Sequence, residues 1–186
     1  MKYIKTFESF KQLPIPISIN DFLKDINIQN IDKISDWWEE NLNFVNIYYF
    51  SFNTHKPIMG GLVEEKGVAI NKNFNAPPFI KLFLLIHESK HILQKFEVDF
   101  NDLYFNSVLN NNKQEFLDFY EKVEKEANDF AINIMKSFGF EDEMKRMNFT
   151  LRSNERVGFE IFNMMKNDIE KYKPKDIYDL IKKQIL

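Results

Sequence analysis

The most regular pattern in the chain runs from about Lys113 to Phe138, where Phe116, Phe119, Tyr120, Val123, Ala127, Phe130, Ile134 and Phe138 recur at helical spacing. These positions share one face of a long helix, and Gly139 is suited to stop it. A second stretch, Phe79 to Ile86, is almost continuously apolar and reads as a buried helix that begins at Pro77-Pro78. Between the chain start and that helix, the pattern predicts short helices over Asp21–Ile26 and Ile31–Asn41, the latter capped by Asp32 or Ser35. Strand-like sequence follows: Phe44 to Phe52, then Pro57 to Glu64 and Gly67 to Asn71 joined at Glu65-Lys66-Gly67. Phe96 to Asn112 lacks periodicity and reads as a loop-rich insertion. Two further helices are expected over Glu155–Asp168 and Lys175–Ile185, separated by Pro174. The fold class is therefore α+β, with a small antiparallel or mixed sheet and helices before and after it.

Length and composition narrow this picture. At 186 residues the chain is the size of one domain. It reads as an N-terminal helical segment (1–42), a core (43–138) and C-terminal helices (139–186). There is no cysteine, so neither a disulfide framework nor a thiolate metal site is available, which fits a reducing compartment. The first eight residues, Met1 to Glu8, lack the apolar core of a secretory signal, and the longest apolar run, Leu82 to Ile86, is far short of the roughly 20 residues that span a bilayer. A cytoplasmic protein without a membrane segment is expected, and Asn148-Phe149-Thr150 is then a chance match to a glycosylation acceptor. A formal net charge of −3 argues against direct nucleic-acid binding. The lysines from Lys166 to Lys183 alternate with acidic residues as on a solvated helix face. Of the adjacent Trp37 and Trp38, one is expected in the core and one half-covered.

The candidate chemistry lies at the end of the apolar helix. His87-Glu88-Ser89-Lys90-His91 has the H-E-x-x-H spacing of a zinc hydrolase. Residues four apart stack on one helix face, so two neutral imidazoles converge on one ion while Glu88 projects beside them. Histidines on a buried helix need polar partners, and a shared metal supplies both at once.

A catalytic zinc takes three protein ligands and keeps one position open. The chain holds three histidines, and the remaining one, His55, lies upstream in strand-like sequence. An acidic third ligand is thus expected, and Glu121, Glu124 and Glu126 cluster on the long helix. Periodicity does not choose between Glu124 and Glu126, because at about 100° per residue they flank the apolar stripe on opposite sides. Their neighbours do differ. Glu124 shares its side with Ala127 and Ala131, which let another helix approach, whereas Glu126 lies beside Phe119 and Phe130, which would hold one away. Glu124 is preferred on that ground, with Asn128 one turn on to accept a hydrogen bond from a ligating imidazole.

With HESKH, the segment Glu124-Lys125-Glu126-Ala127-Asn128-Asp129-Phe130-Ala131 resembles the second signature of the ImmA/IrrE-type metallopeptidases, within the gluzincin group. The likeness spans roughly residues 60 to 138. It implies a zincin-like fold, in which a small sheet packs on the HExxH helix and on a second, glutamate-bearing helix. It also implies Zn2+ held by His87, His91 and Glu124, with Glu88 as general base. Lys90 stands where the family often has glycine, and Lys136 where proline often follows the methionine.

The function expected is a zinc-dependent endopeptidase acting on a cytosolic protein, with a transcriptional repressor as the substrate class implied by similarity. An edge strand near Gly60 to Glu65 would take the substrate by strand addition. Tyr104, His55, Arg152 and Arg156 are candidates to stabilise the oxyanion. Two other classes remain open: a non-catalytic interaction module that keeps the zincin shape, and a hydrolase of small amides. Oligomeric state is not legible.

Overall fold

The structure is a computed structural model that describes residues 14–51, 60–63, 66–97, 106–146, 162–163 and 166. It has a mixed α+β architecture with several helices and a small three-stranded sheet. The described chain groups into two compact units, the first drawn from Met1–Leu93 and Ala127–Asn148, the second from Gln94–Glu126 and Phe149–Leu186.

In the first unit, helix α1 (Ile19–Ile26) buries Ile19, Phe22, Leu23 and Ile26 at helical spacing. Ser18 caps it by accepting a hydrogen bond from the Asp21 amide, and Asn27 ends it in the left-handed conformation. Helix α2 (Ile31–Asn41) opens differently from expectation. Asp32 and Ser35 fall inside the helix, and the N-cap is Asn30 at φ 59°, whose side chain makes no capping bond. Its Nδ2 instead donates to the carbonyl of Phe138, 2.9 Å away. Trp38 is 2% exposed while Trp37 is half-buried, its ring against Phe138 (centroids 5.6 Å apart) and Phe130 (6.3 Å).

Strands β1 (Asn46–Phe50), β2 (Gly60–Val63) and β3 (Gly67–Asn71) are ordered β1-β3-β2. β1 runs parallel to β3 and β2 antiparallel to it, so the sheet is mixed. The central strand is buried at every position, which matches its small and β-branched Val68-Ala69-Ile70. Gly67 is required by packing: a Cβ there would collide with the Val63 carbonyl and the Tyr48 ring. Ile17 adds an antiparallel bridge to Ile47 on the outer side of β1.

Helix α3 (Pro78–Glu97) starts on Pro78, where a missing N–H costs nothing. It carries Leu82, Phe83, Leu85 and Ile86 into the same core as α1, α2 and the sheet. Helix α4 (Lys113–Ser137) ends in a Schellman arrangement: Phe140 N–H donates to Met135 O and Gly139 N–H to Lys136 O, with Gly139 at φ 96°. Lys33 Nζ donates to the exposed carbonyl of Ser137, a cation at the helix's negative end. A short helix that the pattern did not predict, α5 (Glu141–Arg146), follows and buries Met144.

The second unit has its own apolar cluster of Val108, Phe116 and Phe162. The expected loop is partly helical, since residues 106–109 form a turn of helix. Of the two C-terminal helices expected, only residues 162, 163 and 166 fall among those described, and they are helical. Among the described residues, no helix is long and apolar enough to cross a membrane.

Candidate metal centre

The centre is built on the second half of α3. Through Ile86 the helix buries hydrocarbon, and then it buries His87 (8% exposed), Glu88 (7%), Ser89 (0%) and Gln94 (1%). Polar groups placed there must be satisfied, because leaving one unpaired costs on the order of 1–3 kcal/mol. Ser89 is satisfied within the helix, its hydroxyl donating to the carbonyl of Leu85.

His87 and His91 face each other along the helix. Their Nε2 atoms are 3.1 Å apart and their rings meet edge to face, with centroids 4.7 Å apart. Phe83, one turn earlier, stacks beside the His87 ring at 6.0 Å. Two nitrogens bound to one tetrahedral zinc at 2.0–2.1 Å would be separated by about 3.3 Å, so the pair stands near that spacing. Glu124 completes the group: the ligand atoms of His87, His91 and Glu124 all lie within 4.8 Å of one another. Two imidazoles and a carboxylate are a nitrogen and oxygen donor set suited to zinc, and this group could hold a metal ion.

The other glutamates weighed from the sequence stand apart. Glu121 is exposed. Glu126 is exposed as well, but its carboxylate accepts a hydrogen bond from Gln94 of α3 at 3.1 Å. The expectation that Phe119 and Phe130 hold α3 away from this side of α4 is therefore corrected. Ala127 and Ala131, the small residues on the other side, are fully buried.

Lys90, the unusual member of HESKH, is half-buried with its ammonium 5.8 Å from the centre of the Phe130 ring. It serves the packing of α3 on α4 and is not one of the three grouped residues. Asn128 is half-buried but does not take the expected role toward His87, whose Nδ1 is buried and makes no hydrogen bond. His55, Tyr104, Arg152 and Arg156 lie outside the described residues.

Sequence reasoning missed Gln94. Its signal was present: His87, His91 and Gln94 are spaced i, i+4, i+7, which continues the histidine stripe by one turn on a buried helix. Gln94 Nε2 donates to the Val123 carbonyl and to the Glu126 carboxylate, both at 3.1 Å.

No known family's sequence profile, no curated protein and no solved structure matches this chain.

Proposed function

We propose that this protein is a zinc-dependent endopeptidase of zincin-like fold. The observation that carries the reading is the convergence of His87, His91 and Glu124 within 4.8 Å, next to a buried Glu88. In this reading His87, His91 and Glu124 hold Zn2+. When bound, zinc supplies a Lewis acid that polarises a carbonyl and brings the pKa of a water toward about 7.

The chain's own residues supply the rest. Glu88 follows His87 directly and is 7% exposed, so its carboxylate acts in a site shielded from bulk solvent. It takes one proton from the attacking water as the oxygen adds to the scissile carbonyl carbon. It then returns that proton to the amine nitrogen as the carbon–nitrogen bond breaks. β2, at the edge of the sheet among the described residues, offers backbone groups to which an extended peptide adds as a strand. A protein substrate follows from this reading, and the family resemblance makes a cytoplasmic transcriptional regulator the candidate class.

The test is metal analysis together with peptide cleavage. One equivalent of zinc, lost in His87→Ala, with cleavage abolished but zinc retained in Glu88→Gln, supports the reading. Less than about half an equivalent, unchanged by His87→Ala, would make the protein a non-catalytic module instead.

A further inference from the structure

We infer that Gln94 is a positioning residue that sets the reach of Glu124 toward the histidine pair by fixing α4 against α3. The inference rests on the metal-binding reading above and adds a residue to it. Gln94 lies three residues after His91, about 4.5 Å further along the helix axis, on the face that carries both imidazoles. It is 1% exposed, so an amide here is a costly choice unless its hydrogens are used. Both acceptors of Nε2 are on α4: the main-chain carbonyl of Val123, immediately before Glu124, and the carboxylate of Glu126, two residues after it. The two bonds therefore bracket Glu124 in sequence.

A bond to a main-chain carbonyl reports on the helix itself and not on a mobile side chain. Slipping α4 by one residue would carry Glu124 about 1.5 Å along the axis and turn it by about 100°. Metal ligands tolerate deviations of only about 0.2 Å, so such a slip removes the carboxylate from the group. The Glu126 bond adds rotational control, because it holds the side of α4 that periodicity places away from Glu124.

The test compares zinc affinity in the full chain and in Gln94→Met, which keeps the length and apolar stem of the side chain and removes both donors. In the variant the Val123 carbonyl stays within the helix ladder and Glu126 is exposed to water. Zinc affinity measured by competition with a chromophoric chelator is expected to fall about 10–100-fold. The visible spectrum of the Co2+-loaded protein should lose tetrahedral intensity, while the melting temperature of the metal-free protein changes little. Glu126→Ala, a surface substitution, should weaken zinc in the same direction by less. Unchanged zinc affinity and Co2+ spectrum in Gln94→Met, with only the metal-free melting temperature lowered, would overturn the inference and leave the metal reading standing. A wild-type chain that binds no zinc, or binds it equally after His87→Ala, would overturn both.

Discussion

The two halves of α3 differ in the polar groups they bury. From Leu82 to Ile86 the helix buries hydrocarbon against hydrocarbon, with Leu82, Leu85 and Ile86 fully covered and Phe83 nearly so. From His87 to Gln94 the same helix buries an imidazole, a carboxylate, a hydroxyl and an amide, and half-buries the second imidazole, His91. The first half is stabilised by burial, at about 25 cal/mol per Å² of apolar surface. The second half offsets desolvation through specific partners: Leu85 for Ser89, Val123 and Glu126 for Gln94. His87 and His91 meet each other and Glu124. The second half still contributes Ile92 to the core, so the polar groups are added to a packed helix with no break in its backbone.

Substitutions in the two halves should separate stability from function. The largest effect is expected for Glu88→Gln, which should lower peptide cleavage by on the order of 10²–10⁴-fold while zinc content stays at the wild-type value. Leu85→Ala, three residues earlier, should do the reverse. It should cost about 2–5 kcal/mol in urea unfolding and leave zinc stoichiometry intact. Loss of zinc in Leu85→Ala with unchanged stability would erase the contrast between the halves.

Zinc itself should stabilise the wild-type chain. At a free concentration 100 times the dissociation constant the gain is about 2.7 kcal/mol, read as a higher melting temperature that chelator reverses. In His91→Ala that increment should vanish. The smallest effect is expected at Lys90, whose ammonium lies 5.8 Å from the centre of the Phe130 ring. Lys90→Met should cost about 0.5–1 kcal/mol or less and leave zinc affinity unchanged. A large loss of affinity there would place Lys90 in the chemistry and sharpen the boundary between the halves differently.

Much of this contrast is legible in the residue order. The apolar run into HESKH announces α3, and the stripe from Phe116 to Phe138 announces α4 to within one residue of its end. Both signals are local and periodic. The features that escape are those whose cause lies far along the chain. Asn30 opens α2 in a left-handed conformation while bonding to Phe138, 108 residues away, so Asp32 and Ser35 looked like better caps than they are. Gln94 is not singled out by the sequence, because its acceptors are 29 and 32 residues downstream. The grouping of Glu124 with the histidines agrees with the choice of Glu124 over its neighbours, and Ala127 and Ala131 beside it are fully buried. The companion argument about Glu126 failed, because a long glutamine side chain bridges the gap that two phenylalanines were expected to hold open. α5 was missed although its acidic first turn and basic last turn are visible, since six residues are too few for periodicity to register.

The central claim is that one ion is held jointly by His87, His91 and Glu124, and zinc binding by Glu124→Ala beside the wild-type chain tests it most directly. The account predicts one equivalent in the wild type, with X-ray absorption showing two imidazoles and oxygen donors at about 2.0–2.2 Å, and at least tenfold weaker binding in Glu124→Ala. Equal zinc affinity and an identical absorption spectrum in the two proteins would contradict it.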